Sequence, residues 1–198
     1  MEALFGKKKR APGGALVLYT TKHGETQRYA EKIAQPLDAL VKDAAYAKVR
    51  DAKTYDAIVL GCCVYAGKIK GLNFFADYAG ELKDKHLVLY TCGLYDPALP
   101  EVRAELDAQI RKALGDAAEY VSVFHLRGSM RWQSLGLAER LMLKALLSGM
   151  KKKPEAERSL IEKQLIETEG GAIDFTDEAD LAPIVHAARF GREADTCI

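Results

Sequence analysis

The chain has 198 residues, of which 48% are hydrophobic and 29% charged, so it can form one large globular domain and is not a disordered polymer. Its 29 Lys and Arg residues against 28 Asp and Glu residues give a formal net charge of +1, which argues against a dedicated nucleic-acid-binding protein. None of the four Cys residues has the C-x-x-C spacing of a zinc or dithiol site, and we expect free thiols in a reducing cytoplasm.

Strands and helices alternate in the predicted elements that precede residue 127. Residues 1–14 include the basic run Lys7–Arg10 and are predicted to form a flexible tail without a secretory leader, with a weak contact to an anionic surface as the alternative. Short apolar runs predict strands at 15–19, 44–49, 57–61, 86–90 and 120–126. Apolar residues three or four apart predict helices at 26–41, 72–82 and 100–114. This alternation predicts a doubly wound α/β domain around a parallel sheet.

The last third of the chain follows a different pattern. Residues 135–150 predict a helix that is apolar on more than one side, and residues 151–169 are highly charged. Thr176 resembles the N-cap of a final helix that continues to about residue 190. We therefore predict a single domain over residues 15–190 with a helical insertion at 129–171, followed by a tail at 191–198.

Three segments that follow predicted strands are candidates for ligand binding, because open parallel sheets bind ligands at the carboxyl ends of their strands. Residues 20–26 combine hydroxyl side chains and a Gly at a helix start, which favours an anion such as phosphate, although an ordinary capped helix has the same pattern. Tyr65 and Tyr95 lie in the segments after the third and fourth strands. They could stack against a flat ring or simply pack their own loops.

The run Leu16–Thr26 resembles the phosphate loop of flavodoxins, whose pattern is roughly Ser/Thr-x-Thr-Gly-x-Thr. Thr21, Gly24 and Thr26 match this pattern, whereas His23 replaces a Thr. The resemblance implies a flavodoxin-like five-stranded parallel sheet in the order 2-1-3-4-5 and FMN as the cofactor. By position, it implies the following cofactor-binding residues: Thr20, Thr21, Lys22, His23, Gly24, Glu25, Thr26, Cys63, Val64, Tyr65, Ala66, Gly67, Thr91, Cys92, Gly93, Leu94, Tyr95 and Asp96.

Later runs carry a second resemblance, which extends over about residues 15–190. The runs Arg127–Trp132, Glu139–Lys144 and Asp174–Asp177 are similar to a flavodoxin-domain family that includes the quinone-linked, flavodoxin-like protoporphyrinogen oxidases of bacteria. This resemblance implies an FMN-dependent oxidoreductase that passes two electrons from an organic donor, such as protoporphyrinogen, to an acceptor such as a quinone. The alternative is a one-electron carrier that docks a redox partner protein. No catalytic residue and no metal ligand is evident from the sequence.

Residues 134–153 suggest a second kind of partner. Their apolar side chains exceed what one buried helix face needs, and three Lys residues follow. They predict either a helix buried against the sheet edge or a peripheral contact at the inner face of the membrane, in a protein that is otherwise cytoplasmic. Cys62, Cys63 and Cys92 are interpreted as small apolar fillers, with a thiol–flavin relay as the alternative. Trp132 is expected to anchor the insertion.

Overall fold

The computed structural model describes residues 14–167 and 169–191, and its centre is a parallel sheet. Numbered in chain order, the strands are β1 (Ala15–Tyr19), β2 (Leu40–Asp43), β3 (Ala57–Tyr65), β4 (Lys68–Lys70), β5 (His86–Gly93), β6 (Val121–Arg127), β7 (Ser129–Arg131) and β8 (Ala172–Asp174). The five parallel strands follow the order β2-β1-β3-β5-β6, and β4 pairs antiparallel with the end of β3. Without this short hairpin strand the order is 2-1-3-4-5, so the predicted fold class is confirmed.

Helices cover both faces of this sheet. They are α1 (Glu25–Leu37), α2 (Val49–Ala52), α3 (Asn73–Tyr78), α4 (Pro100–Leu114), α5 (Leu137–Lys152), α6 (Leu160–Glu167) and α7 (Leu181–Phe190). Successive strand residues face opposite sides, so Ile58 and Leu60 of β3 pack in the same layer as α3 and α4. Val59, between them, packs in the layer that contains α1 and α7. The carboxyl ends of all five parallel strands consequently meet at one edge, where a ligand can bind.

The second strand lies earlier in the chain than predicted. It spans Leu40–Asp43 and pairs with β1 from Leu16 onward, whereas the predicted strand at 44–49 was wrong. Helix α1 ends at Leu37 because Pro36 cannot donate a helical hydrogen bond and Asp38 adopts a left-handed conformation with φ of 46°. The chain therefore enters the sheet several residues earlier than the sequence pattern indicates.

Between β6 and α7 the chain forms the predicted helical insertion, which has a small core of its own. Strands β7 and β8 pair antiparallel, and α5 and α6 lie between them in the chain. Trp132 is buried in this core together with Leu147, Leu165 and Ile173, so its expected anchoring role agrees with its position.

The final helix begins later than predicted, at Leu181, so the prediction of Thr176 as its N-cap is wrong. The Thr176 hydroxyl instead donates to Asp174 Oδ1 at 2.6 Å and accepts from Arg28 Nη2 at 2.9 Å, which ties the end of the insertion to α1. Apart from Gly14 and Gly191, the predicted tails at 1–14 and 191–198 lie outside the described residues, as does Cys197. Within the described ranges, no helix combines the length and the apolar character needed to cross a membrane.

Candidate functional site

The loop from β1 to α1 forms an open cradle at the strand edge. Its backbone is fixed at one end by the Thr20 amide, which donates to the Gly61 carbonyl at 2.8 Å. The Gly24 amide donates to Thr21 Oγ1 at 2.9 Å. Gly24 has a φ of +92°, and a Cβ built there would meet no atom within 4 Å. Because the first amides of a helix have no partner within it, the start of α1 presents N–H donors and a positive dipole end in this open region.

A buried tyrosine of β5, Tyr90, holds the loop between β1 and α1 in position. The Tyr90 hydroxyl donates to the Thr26 carbonyl at 2.7 Å, which connects β5 to the first turn of α1. The ring passes directly over Gly61, where an added Cβ would lie 2.3 Å from the Tyr90 hydroxyl oxygen. Burial raises the pKa of Tyr90 well above its ordinary value, so the hydroxyl stays protonated and keeps donating. The position of the cradle therefore depends on a fixed contact between two central strands.

Three of the predicted loops meet around a cavity of about 60 Å³ at the strand ends. Eleven predicted residues line it: Thr21, Lys22, His23, Glu25, Thr26, Cys63, Val64, Tyr65, Cys92, Gly93 and Leu94. Gly128 and Ser129, which follow β6, complete the lining and were not predicted as site residues. A Cβ on Gly128 would lie 2.9 Å from Cys92 Sγ, so the absence of a side chain allows this close approach.

A second cavity, of about 250 Å³, lies between the second and third predicted loops. Gly67 and Tyr95 line it, and α4 contributes Val102, Glu105 and Leu106. Val64 lines both cavities and therefore separates them. A Cβ on Gly93 would approach Val64 Cβ to 2.9 Å, so the glycine at this strand end allows Val64 to take that position. Tyr65 and Tyr95, the two aromatic residues expected at the cofactor ring, therefore line different cavities of the same region.

Five predicted site residues line neither cavity. Gly24 belongs to the open cradle, and Ala66 forms the β3–β4 turn with a φ of 48°. Thr20 lies against Gly71. Alternation along β5 turns Thr91 to the sheet face opposite Tyr90 and Cys92. The remaining residue, Asp96, accepts from the Ala98 amide at 2.9 Å and lies 3.6 Å from Arg127 Nη1.

Glu139 of α5 connects the insertion to the side chains around the first cavity. Its Oε1 lies 3.0 Å from Lys22 Nζ and 3.6 Å from His23 Nε2, and it accepts from the Tyr65 hydroxyl at 3.2 Å. Lys22 Nζ also lies 3.9 Å from the centre of the Tyr65 ring. The sequence analysis missed this residue, because its only signal was a local capping pattern in which Glu139 Oε2 accepts from the Gly136 amide. The insertion therefore closes over the predicted cofactor loops.

Charges within this network reinforce one another. The hydrogen bond from Lys22 lowers the pKa of the Glu139 carboxyl, and the same bond raises the pKa of the Lys22 ammonium. Both groups therefore remain ionised over a wide pH range around neutrality.

The cysteines near the site are buried and unreactive in character. Cys62, Cys63 and Cys92 are free thiols, and burial raises the pKa of each, that of Cys92 to about 12. A thiol of this kind carries little thiolate at neutral pH, and the thiolate is the reactive form. The geometry thus favours the interpretation of these residues as apolar fillers.

A second polar network lies on the other side of the sheet. The Thr91 hydroxyl lies 2.8 Å from His125 Nδ1, and His125 Nε2 lies 2.8 Å from Asp107 Oδ1. This arrangement fits a neutral imidazole that accepts from Thr91 and donates to Asp107. Burial lowers the pKa of His125, which keeps the ring neutral. Across residues 14–167 and 169–191, no cluster of His, Cys, Asp and Glu has the grouping that a metal ion needs.

Comparison with known proteins agrees with this architecture. The sequence model of the Flavodoxin domain family matches residues 16–157, which is most of the chain, and the protein therefore belongs to that family. No curated protein matches the chain.

Several solved structures also resemble part of the chain. They include the two-electron reduced flavodoxin of Megasphaera elsdenii, at 20% identity and a TM-score of 0.43 over 57% of this chain and 85% of that one. A flavodoxin from the domain Archaea matches at 18% identity and a TM-score of 0.39, over 57% of this chain and 82% of that one. A flavoprotein in complex with FMN from Lactobacillus acidophilus NCFM matches at 15% identity and a TM-score of 0.37, over 58% of this chain and 91% of that one.

Proposed function

We propose that this flavodoxin-domain protein binds FMN at the strand edge and serves in electron transfer. The observation that carries the proposal is the open space at Gly24, which lies at the start of α1 beside the two cavities. Bound flavin would supply the redox chemistry, while the protein holds it and controls access to it. The test is to add FMN to the purified protein and to measure quenching of flavin fluorescence.

The donor set fits the phosphate end of such a cofactor. The amides of residues 22–26 and the hydroxyls of Thr21 and Thr26 would hold the phosphate, since backbone N–H groups at a helix start favour an anion. Lys22 adds a positive charge at the same loop. The second and third loops, with Tyr65 and Tyr95, would hold the ring.

Access for the ring depends on the insertion. The first cavity, of about 60 Å³, is far smaller than the roughly 300 Å³ of a typical small-molecule pocket. Tyr65 and Lys22 narrow it, and Glu139 holds both of them. The ring therefore needs Tyr65 to turn away from Glu139. The contacts of Glu139 accordingly compete with cofactor binding.

The finer part of the proposal is two-electron transfer from an organic donor to an acceptor such as a quinone. The net charge of +1 supports it, because a carrier that docks basic partners benefits from a strongly acidic surface. The insertion that closes over the site also suits an enzyme that controls substrate access. Protoporphyrinogen enters as a donor only through the sequence resemblance.

The alternative, a one-electron carrier for a partner protein, differs in how the bound flavin is reduced. Anaerobic photoreduction followed by visible spectroscopy distinguishes the two. A single two-electron step supports the oxidoreductase, whereas two well-separated one-electron steps support the carrier. Reoxidation by ubiquinone or menaquinone, and reduction by protoporphyrinogen, then test the finer part of the proposal.

A further inference from the structure

The outer face of α5 exposes an unusual concentration of apolar side chains. Four of the eight exposed large apolar residues in the described part of the chain lie on this one helix. They are Leu137, Leu141, Met142 and Leu146, with exposed fractions of 77%, 60%, 50% and 46%. Exposed apolar side chains that occur singly are normal, but a contiguous group of this kind marks an interaction surface.

Helical geometry places these four side chains on one side of α5. With successive residues about 100° apart, they fall within roughly half of the helix circumference. Leu147, which is buried in the core of the insertion, lies on the opposite side, and Glu139, which contacts the cofactor loops, lies just beyond the edge of the exposed face. The helix thus has two apolar sides, and only one of them is covered within the described structure.

Basic residues are concentrated in α5 beyond its first turn. From Arg140 to Pro154 the sequence contains five Lys or Arg residues and no Asp or Glu. Lys151 and Lys153 pair with Glu169 and Glu162. In residues 14–167 and 169–191, Lys144 and Lys152 have no ion-pair or hydrogen-bond partner.

We infer that the outer face of α5 binds the surface of an anionic phospholipid bilayer. Leucine and methionine side chains would enter the headgroup boundary, while Lys144 and Lys152 would contact lipid phosphates. The helix would lie in the plane of the interface, since its 16 residues are too few to cross the hydrocarbon layer. The exposed Leu and Met side chains, together with the basic residues of the same helix, match the apolar interior and the anionic headgroups of such a bilayer.

Binding of α5 to a bilayer would not require bound flavin, but it would bring the cofactor loops close to the membrane. A helix with its side chains is about 10 Å across, and Glu139 of α5 already touches the first loop. A lipid-soluble molecule in the bound membrane would therefore lie close to the strand ends.

The test is co-sedimentation of the full-length protein with vesicles, either of phosphatidylcholine alone or of an equimolar mixture of phosphatidylcholine and phosphatidylglycerol. We expect binding to the mixed vesicles to be at least about tenfold tighter than to the neutral ones. The double variant Leu141→Gln/Met142→Gln should lose at least about tenfold in affinity for the mixed vesicles. The variant Leu40→Gln, which changes an exposed leucine of β2, should bind like the wild type.

Several outcomes would overturn the inference. They are absence of binding to the mixed vesicles, equal binding to the neutral ones, or unchanged binding of the double variant. Sedimentation velocity provides a further check. If the wild type is a dimer and the double variant a monomer, a second copy of the chain covers this face instead. Thermal unfolding at an unchanged temperature would show that the double variant is folded, as expected for exposed side chains.

Discussion

The substitution Glu139→Gln tests the role of the insertion at the cofactor loops. The amide keeps the size of the side chain, and its oxygen can still accept from the Gly136 amide that begins α5. It removes the negative charge on the carboxylate whose Oε1 lies 3.0 Å from Lys22 Nζ and 3.6 Å from His23 Nε2. We expect FMN to bind more tightly and faster to this variant, because Tyr65 and Lys22 turn outward more readily.

The size of this effect follows from the exposure of the ion pair. The side chains of Lys22 and Glu139 are 44% and 20% exposed, so solvent screens much of their attraction. Partly exposed ion pairs of this kind shift an equilibrium by at most about fivefold. The apparent Kd scales inversely with the fraction of molecules that are open. We therefore expect the Kd for FMN to fall by roughly two- to fivefold.

The assay is fluorescence titration of FMN with the apoprotein, together with stopped-flow measurement of the association rate. Glu162→Gln is the matched control, because Glu162 also accepts from a local amide, that of Ser159 at 2.9 Å, and also pairs with a lysine, Lys153, within the insertion. The control should leave the Kd for FMN unchanged. A Kd for Glu139→Gln that is equal to or higher than that of the wild type would refute the role assigned to Glu139.

Three substitutions test the supports of the site. Tyr90→Phe removes the bond to the Thr26 carbonyl and should lower the free energy of unfolding by about 1–2 kcal/mol in urea titrations, whereas Tyr46→Phe, at an exposed position, should change it by less than about 0.5 kcal/mol. Equal effects would contradict the role of Tyr90. Gly61→Ala places a Cβ 2.3 Å from the Tyr90 ring and should cost about 1–3 kcal/mol; a neutral effect would contradict the packing. Since burial lowers the pKa of His125, the unfolded chain takes up a proton below about pH 6.5 that the native protein does not, and stability falls as the pH decreases. His125→Gln should make urea unfolding less pH-dependent between about pH 7 and 5, and an unchanged dependence would contradict the neutral assignment.

Features encoded within a single element were predictable from the sequence. Continuous apolar runs predicted β1 and β5. Regular apolar spacing predicted α4 with the bounds that the structure has, Pro100 and Leu114. The sheet order and the cofactor came from the resemblance of the first loop rather than from periodicity. The second strand was misplaced because Leu40–Asp43 is short and only partly buried, so it has no strong apolar pattern.

Contacts that join distant parts of the chain were not predictable. Glu139 meets Lys22 and Tyr65 only because the insertion folds back over the strand ends. The pattern around Glu139 is fully explained by local helix capping, so it carried no signal of that contact. Thr91 illustrates the same limit, since the direction of its side chain depends on where β5 lies between helix layers, and only the folded sheet fixes that.

The most direct test of the account compares the binding of FMN with that of riboflavin, which lacks the phosphate. If the loop at Gly24 and the start of α1 hold the phosphate, FMN should bind with one molecule per chain, and riboflavin at least about a hundredfold more weakly. Calorimetric titrations that show equal affinities, or no binding of FMN, would contradict the central claim.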